Sequence, residues 1–408
     1  MNTPPRPARP LAVVLSHPTQ YYSPWFRWLR SRTALDFRVF YLWDFGVAHR
    51  RDPQFGTSFE WDVDLLSGYD SEFVPNVSAN PGADRFFGFR NPGLAGRLGA
   101  QRPGALLLFG YKWASHLQAV AWARRRRVPI LFRGDSHLLG RRTPPRLHLR
   151  VALGALYSQF ASFLYAGAAN REYFEAFGVP RHKLFFAPHS VNAELFNRDD
   201  PGHFAQAQRV RSELGLKPGT RVLLFAGKLV AQKQPVELLR AFLDARLEDA
   251  AIVFVGDGPE KERLGALAAG RAGAPGAPPV RFLPFANQSE MPSRYLLADL
   301  FALPSRGFYE TWGLAVNEAM HMGIPCLVSN RVGCQRDLVT HGETGWVFDS
   351  EDPRALAGAL SAAFAELGSA QRREQVQKAI LHRMAGYTYA KTTDGLLAAL
   401  AASRPGPS

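Results

Sequence analysis

The chain has 408 residues, which exceeds one typical domain and suits two, each able to bury its own core. Lys plus Arg outnumber Asp plus Glu by 49 to 35, a formal net charge of +14 that makes anionic partners a class to consider. Two cysteines, Cys326 and Cys334, are too few for a disulfide framework. Residues 1–7 are proline-rich without the apolar core of a signal peptide, so we expect a cytoplasmic location.

Apolar runs in the first half predict strands that are covered on both faces, as in a parallel sheet. Strands are predicted at 11–16, 37–42, 105–109, 129–132, 163–165 and 183–187, with helices at 23–32 and 114–126. Residues 43–102 are irregular and rich in aromatics, Gly and Asn, and there we expect an acceptor loop or subdomain. The apolar region 151–166 contains Gly154, Ser158, Gln159 and Ser162, which favours a buried helix and a strand over a membrane span.

Residues 197–202, with two Asp and one Pro, predict a linker, after which strands and helices alternate regularly. Strands are predicted at 221–226, 251–255, 280–284, 300–303 and 326–329, and helices at 235–245, 260–269, 291–297, 313–322, 353–367, 373–384 and 389–402, with a disordered tail from 403. This alternation implies a second parallel sheet, with ligands beyond the carboxyl ends of its strands. Residues 227–228, 256–257 and 305–307 fall at such ends.

Residues 308–320 are the most informative stretch, because Glu310 and Glu318 stand seven residues apart across a predicted helix start. The first-turn amides of Gly313, Leu314 and Ala315 have no intrahelical partner and, with the helix dipole, form a site for a diphosphate. Carboxylates suit vicinal hydroxyls because they only accept hydrogen bonds, so Glu310 could hold a sugar and Glu318 a ribose. The alternative is that Glu310 caps the helix and Glu318 is a solvated residue.

The segment from Glu310 to Glu318, followed by Gly323-Ile324-Pro325, resembles the Glu-x7-Glu signature of the retaining glycosyltransferases of family 4. Further blocks resemble that family in the same order: Pro188 to Asn192 its Pro-Asn-Gly-Val-Asp segment, Phe225 to Lys233 its diphosphate-binding loop, and Val255 to Pro259 its Gly-x-Gly-Pro turn. The likeness covers nearly all of the C-terminal half and is looser before it.

The resemblance implies an α/β protein with the GT-B fold, in which two doubly wound Rossmann-like domains face each other across a cleft. It implies an acceptor-binding domain over residues 1–197, a nucleotide-sugar-binding domain over 203–385, and a helix over 386–402 that crosses back to the first domain. The implied reaction is retaining transfer of a sugar from a UDP- or GDP-linked donor to a glycan or lipid-linked glycan, in cell-surface polysaccharide or glycoconjugate synthesis.

The resemblance also implies roles for the second half. Lys228 and Lys233, beside Gly227 and Gly256, would face the diphosphate, although the family more often has Arg at the position of Lys228. Solvated lysines are the alternative. Glu310 would bind the donor sugar, the amides of Gly313 and Leu314 the diphosphate, and Glu318 the ribose. The strand and loop ending at Phe285 would hold the base through backbone groups, although their side chains alone indicate only a buried strand.

In the first half, His17 and Gln20 occupy the loop where the family often has a Gly-Gly pair. The sequence there resembles a His-Pro-x-Gln-Tyr-Tyr variant of that loop, and both residues are expected to face the cleft. The alternative for His17 is a structural histidine in a turn. Arg133, Asp135 and His137 follow a strand where members often place a cleft histidine. We expect Asp135 and Arg133 to contact sugar or acceptor, and assign His137 and, further along, His189 to the same wall.

The mechanism that the resemblance implies is front-face return, in which the departing phosphate oxygen takes the acceptor proton while Lys228, Lys233 and the helix N-terminus stabilise the charge. No metal or other cofactor is expected beyond the donor substrate. Asp62-Val63-Asp64 lies in the irregular region and is interpreted as structural. A nucleotide-sugar epimerase of the GT-B fold, or a non-catalytic protein that binds nucleic acid or membrane, are the alternatives.

Basic residues concentrate in the first half, with 26 Lys plus Arg against 15 Asp plus Glu through residue 200, compared with 23 against 20 after it. They cluster at Arg124–Arg127 and at Arg141, Arg142, Arg146 and Arg150, next to apolar sequence. Such a surface suits the anionic inner face of the cytoplasmic membrane or a lipid diphosphate. Surplus solvated arginine is the alternative. Nucleic acid is not expected, since no helix-turn-helix, zinc-ligand spacing or RNA-binding motif is visible.

Overall fold

The computed structural model describes residues 9–47, 50–51, 58–141, 143, 145–271 and 277–403. Its first sheet has seven strands, all paired in parallel, in the order β5-β2-β1-β6-β7-β8-β9, and β3 and β4 form a separate antiparallel pair. The strands are β1 Leu11–Leu15, β2 Phe37–Tyr41, β3 Arg50–Arg51, β4 Ser58–Phe59, β5 Ser71–Phe73, β6 Ala105–Phe109, β7 Ile130–Arg133, β8 Ser162–Tyr165 and β9 Leu184–Phe186.

The second sheet has six parallel strands in the order β12-β11-β10-β13-β14-β15. They are β10 Arg221–Ala226, β11 Ala250–Val255, β12 Val280–Leu283, β13 Leu300–Leu303, β14 Cys326–Ser329 and β15 Gly345–Phe348. The central strands are buried along their length, as their continuous apolar sequences require when helices cover both faces of a sheet. The predicted pair of doubly wound sheets is confirmed.

Fourteen helices occupy the described residues. They are α1 Tyr22–Arg32, α2 Leu94–Gln101, α3 Ala114–Arg126, α4 Leu147–Tyr157, α5 Ala168–Ala176, α6 Pro201–Glu213, α7 Pro235–Asp244, α8 Lys261–Ala269, α9 Met291–Tyr295, α10 Leu314–His321, α11 Gln335–Leu338, α12 Ala355–Glu366, α13 Ala370–Met384 and α14 Tyr389–Ser403. None of these is both long and apolar enough to cross a bilayer.

Three details of the sequence-based prediction are wrong. The apolar region from Val151 was expected to form a buried helix, but α4 lies on the surface: it buries only Leu153 and Tyr157 and leaves Leu147 75% and Val151 64% exposed. The linker ends earlier than expected, because the Asp200 carboxylate accepts a hydrogen bond from the Gly202 amide and so starts α6 at Pro201. Several elements were not predicted: strands β3, β4, β5 and β15 and helices α2, α5, α6 and α11, of which β3, β4, β5 and α2 fall in the region 43–102 that was expected to be irregular.

Helix α14 packs on β8 and β9 of the first sheet and on α1, which confirms the predicted return of the chain to the first domain. Leu396 and Ala399 are fully buried there, and the Trp25 indole donates a hydrogen bond to the Thr393 hydroxyl. A side chain at Gly395 would collide with the carbonyl of Phe186, so only glycine permits this close approach. Ser403, which was expected to begin a disordered tail, is the last residue of α14, and residues 404–408 lie outside the described residues.

Candidate active site

A cleft of about 430 Å³ lies between the two sheets and is lined by residues of both halves. Loops after β10, β11 and β13 form one wall, at the carboxyl ends of parallel strands where such folds bind ligands. The loop after β1 and segments near residues 45, 61 and 135 form the other. Of the residues predicted for the site, the cleft is lined by His17, Gln20, Asp135, Gly227, Lys228, Lys233, Gly256, Phe285, Glu310, Gly313, Leu314 and Glu318.

Glycines allow the loops after β10 and β11 to touch along the floor of the cleft. Gly227, Gly256 and Gly258 have φ of +144°, +137° and +150°, which other residues rarely adopt. A side chain at Gly256 would collide with the carbonyl of Gly227, so the close contact also requires glycine. Lys233 ends a short 3-10 turn after β10. Its ammonium would lie 3.6 Å from a Cβ on Gly227, directly above this floor.

Glu310 and Lys233 form an ion pair between neighbouring strand ends. The Lys233 Nζ is 2.9 Å from Glu310 Oε2, which also accepts a hydrogen bond from the Ser305 hydroxyl at 3.1 Å. Burial raises the pKa of Glu310, but the charge and hydrogen bond of Lys233 and the bond from Ser305 outweigh it, so the pKa is lowered. Glu310 is therefore ionised at neutral pH and is held as an acceptor at the cleft. The alternative that it caps the following helix is wrong, because Gly313 is the N-cap residue and no side-chain cap is formed.

Helix α10 begins beside this pair and points its N-terminus into the cleft. Gly313 has φ of +97°, which turns the chain sharply from the loop into the helix. Leu314 and Ala315 line the cleft, and their amides belong to the first helical turn, where an amide has no intrahelical acceptor. Two amide donors and the helix dipole therefore lie near Lys228 and Lys233, which line the same cleft. This arrangement suits a diphosphate.

Glu318 is buried and bound by three donors. Its Oε1 accepts hydrogen bonds from the Tyr21 hydroxyl and the Gln288 amide, both at 3.1 Å, and its Oε2 from the Tyr295 hydroxyl at 2.7 Å. Burial raises its pKa, and these hydrogen bonds and Lys233 only partly offset that rise. The expected alternative of a solvated helix face is wrong, since Glu318 is 4% exposed. Tyr21 comes from the first half, so Glu318 joins the two halves.

His17 and Gln20 lie on the first-half wall of the cleft, in the loop between β1 and α1. The Ser16 hydroxyl is 3.0 Å from His17 Nδ1, and the imidazole ring packs edge-on against Trp43 and Phe45. Burial lowers the pKa of His17 to about 4, so the ring is neutral at physiological pH. A neutral imidazole can accept or donate a hydrogen bond to a ligand without adding charge.

The predicted cluster after β7 separates into one residue at the cleft and two behind it. The Asp135 carboxylate lines the cleft and accepts a hydrogen bond from the Thr311 hydroxyl at 2.9 Å. The Arg133 guanidinium is buried and donates to the Ala187 carbonyl at 2.7 Å, which ties β7 to the end of β9. His137 Nε2 donates to the main-chain carbonyl of Glu310 at 3.2 Å, so it supports Glu310 from behind.

His189 also lies behind the wall. Its Nε2 is 3.9 Å from Asp135 Oδ2 and has no hydrogen-bond partner, and its ring packs on Trp312. Burial, followed by the charge of Arg133, lowers the pKa of His189 well below its usual range. The Asn317 amide holds the His189 main-chain carbonyl at 3.1 Å. His189, His137 and Arg133 are thus outside the residues that line the cleft.

Residues 60–62 of the first half clasp the loop at 287–289 of the second. The Asn287 side-chain amide donates to the Glu60 carbonyl at 2.8 Å, and the Asp62 carboxylate accepts from the Ser289 amide at 3.2 Å and from its hydroxyl. Trp61 lies between these bonds, with its ring centroid 6.4 Å from that of Phe285, and both rings line the cleft. We call these contacts the clasp. Asp64 instead accepts from the amides of its own loop at 66 and 67.

Sequence reasoning missed several residues that position the predicted ones. Tyr21, Gln288 and Tyr295 hold Glu318, and Ser305 holds Glu310. Ser305 was predicted to lie at a strand end that faces ligands, but its hydrogen bond to Glu310 was not predicted. Within the described ranges, no group of three or more His, Cys, Asp or Glu side chains is arranged to hold a metal ion.

Comparison with known proteins agrees with this geometry. Residues 206–381 match the sequence model of the family described as glycosyl transferases group 1. The chain is 31% identical over 190 residues to sulfoquinovosyl transferase SQD2 of Arabidopsis thaliana, covering 46% of this chain and 34% of that protein. It is 30% identical over 239 residues to the D-inositol 3-phosphate glycosyltransferase of Nocardia farcinica, covering 57% and 50% respectively, so it spans half or less of these relatives.

The structure resembles Anabaena HepE, solved in complex with UDP and glucose, with a TM-score of 0.69 at 15% identity, covering 96% of this chain and 99% of that one. At that identity the likeness concerns the fold alone. The fold is GT-B, with two Rossmann-like domains and a C-terminal helix that returns to the first.

Proposed function

We propose that this chain is a retaining glycosyltransferase of family 4 that moves a hexosyl group from a nucleotide-diphosphate sugar to a hydroxyl-bearing acceptor. The observation that carries the proposal is that Lys233, Glu310 and the start of α10 lie together at one side of the cleft. Glu318 lies further along α10, more than one helical turn from its start. Cations and amide donors favour a diphosphate, and the two carboxylates favour the hydroxyls of a sugar and a ribose. The match over residues 206–381 supports the same class of donor.

In the proposed reaction the bond between the anomeric carbon and the diphosphate oxygen breaks, and the acceptor oxygen bonds to the same face of that carbon. The departing phosphate oxygen takes the acceptor proton. Lys228, Lys233 and the amides of Leu314 and Ala315 stabilise the charge on the leaving diphosphate, and each such donor contributes about 3–4 kcal/mol where one has been measured. Glu310 would orient the sugar hydroxyls, and Phe285 would adjoin the base.

Donor binding and transfer are tested separately. UDP is the first nucleotide to titrate, because HepE was solved with it; GDP and ADP are the comparison. A ligand at one hundred times its dissociation constant should stabilise the protein by about 2.7 kcal/mol. Incubation with a labelled nucleotide sugar then decides the reaction. A labelled glycan or glycolipid supports transfer, an isomerised donor would identify an epimerase, and the absence of nucleotide binding would leave a non-catalytic protein.

We further propose peripheral contact with an anionic membrane, which would bring the protein to a lipid-linked acceptor of polysaccharide or glycoconjugate synthesis. Leu147 and Val151 are exposed on α4 beside the exposed Arg146 and Arg150, and Arg124–Arg127 are exposed at the end of α3. Arg142, which was predicted to belong to this surface, is outside the described residues. Apolar side chains flanked by arginines suit a headgroup boundary, where each cation contributes about 1 kcal/mol.

Liposome sedimentation tests this contact. Replacing Arg141, Arg146 and Arg150 with Ser should weaken binding to anionic liposomes, and raised salt should do the same, since screening acts over about 8 Å at physiological salt. A matched variant replaces Arg209, Arg240 and Arg263, which are exposed in the second half, and should bind like the parent. Equal binding to neutral and anionic liposomes would instead favour surplus solvated arginine.

A further inference from the structure

A second cavity of about 340 Å³ lies in the first half, at the carboxyl ends of β6 and β7. We call it the aromatic cavity. Tyr111 and Lys112 follow β6, Phe132 belongs to β7, Tyr157 ends α4 and Tyr173 belongs to α5. The Asp135 carboxyl group borders this cavity as well as the donor cleft, so one residue forms the wall between the two spaces.

The aromatic cavity combines closely packed aromatic rings with one buried hydroxyl that lacks a hydrogen-bond partner. The Phe132 and Tyr157 rings have centroids 5.7 Å apart, and Tyr111 lies 5.9 Å from each of them. The Tyr157 hydroxyl is buried and has no hydrogen-bond partner. Burial, then interaction with the neighbouring Tyr173 and Tyr111, raises the pKa of Tyr157, so its hydroxyl stays protonated and keeps a donor to offer.

These features favour one chemical class of ligand. An alkyl chain would leave the Tyr157 hydroxyl without a partner, whereas a ligand hydroxyl would bond to it, a difference of about 1–3 kcal/mol in favour of the polar ligand. The Asp135 carboxylate disfavours a charged phosphate, and the ammonium of Lys112, which also lines the cavity, is directed to the Ala83 carbonyl at 2.9 Å. A hydroxyl-rich ring can lay its apolar face on the aromatic rings while its hydroxyls bond the phenol groups and Asp135. The volume lies near the lower end of small-molecule cavities, about 300–1,000 Å³.

We propose that the aromatic cavity is the acceptor subsite and holds a neutral hydroxyl-rich ring, a pyranose or a cyclitol, with one hydroxyl directed past Asp135 toward the donor cleft. The proposal rests on the proposed function, since it names the acceptor of that transfer. The Asp135 carboxylate accepts a hydrogen bond from the hydroxyl of Thr311, the residue that follows Glu310, so the two spaces meet where the donor sugar would lie.

The proposal is tested with three probes, methyl α-D-glucopyranoside, methyl β-D-galactopyranoside and myo-inositol. Their binding is measured by saturation-transfer NMR, with and without saturating UDP. At least one should bind, and Tyr157→Phe should raise its dissociation constant about three- to tenfold, the loss of one hydrogen bond. Because the Tyr157 hydroxyl has no partner in the free protein, Tyr157→Phe should leave the melting temperature unchanged or higher. A purely structural tyrosine would not give that combination.

Tyr173→Phe should act like Tyr157→Phe, whereas Tyr165→Phe is the matched control, because Tyr165 packs on Phe186 away from the aromatic cavity. The subsite is refuted if no probe binds, if both cavity variants bind as tightly as the parent, or if a fatty acid such as decanoate binds there instead. UDP calorimetry on the same samples separates the two proposals. If UDP does not bind, the donor site is refuted, and the probe measurement without UDP still tests the subsite on its own.

Discussion

Replacing Glu318 by alanine should destabilise the protein even without nucleotide. The change removes the acceptor of three hydrogen bonds and leaves the donors of Gln288 and Tyr295 in a buried site. Each bond to a charged group is worth about 1.5–3 kcal/mol, but the burial that raises the pKa of Glu318 offsets part of that sum. We therefore expect a loss of about 2–4 kcal/mol in the free energy of unfolding.

Urea denaturation of the free protein, with two-state behaviour checked by a second probe, measures that loss. Glu318→Gln should cost clearly less than Glu318→Ala, because it keeps an acceptor and removes a buried charge. A raised pKa means that the folded state holds the proton more tightly, so the parent should gain stability relative to Glu318→Gln as the pH falls through that pKa. Glu343→Ala, at an exposed position, should change stability by less than about 0.5 kcal/mol.

An unchanged unfolding free energy in Glu318→Ala would refute the buried network. The same variant should weaken UDP binding, as a ribose ligand requires, and calorimetry must then be run well below the lowered melting temperature. Unchanged UDP affinity in protein that is still folded would remove the ribose role while leaving the structural one.

Three further predictions concern the cleft. Lys233→Ala should lower turnover by about two to three orders of magnitude if Lys233 stabilises the leaving diphosphate. Lys261→Ala, on the exposed side of α8, should leave turnover unchanged. Activity of Lys233→Ala within a few fold of the parent would mean that Lys233 only holds Glu310. The pKa of Glu310 is lowered, so the stability that its carboxylate contributes is complete above the ordinary pKa of 4.5 and is lost as the pH falls below 4.5. Melting temperatures measured from pH 7 to pH 3 should therefore converge for the parent and Glu310→Gln in acid. A constant difference between the two proteins would contradict the ion pair. Asp62→Ala should open the clasp and increase the rate of UDP release, measured by stopped-flow fluorescence, by about threefold or more, which corresponds to the loss of one hydrogen bond. Asp64→Ala should leave this rate unchanged. Equal release rates for the parent and Asp62→Ala would mean that the clasp does not control opening of the cleft.

The sequence predicted the fold and one side of the cleft because both depend on local patterns. Apolar runs such as Leu223–Ala226 must lie in a sheet covered on both faces, and Lys233 and Glu310 meet because β10 and β13 are neighbours whose carboxyl ends share an edge. Gly227 and Gly256 form the close loop contact, and the sequence indicated them through the ends of predicted strands and the resemblance to the family's loops.

What the sequence could not predict depends on how the two halves pack. Tyr21 and Glu318 are 297 residues apart, and their hydrogen bond requires the loop after β1 to face α10. Arg133 and His137 each lie two residues from Asp135 in the sequence. Their side chains nevertheless donate to main-chain carbonyls behind the cleft wall, whereas Asp135 lines the cleft. Exposure of α4 was equally hidden, because a buried helix and a surface helix with an apolar face can have the same composition.

Helix α14 has a consequence for the order of folding during synthesis. It covers β8 and β9 of the first sheet, yet the ribosome makes it after all six strands of the second sheet. Until α14 is made, the surface of the first sheet that Leu396 and Ala399 cover is exposed to water. The first half is then a nascent domain with one apolar face exposed. The second half can close its own sheet earlier, so the first half, although translated first, is the later of the two to reach its native packing.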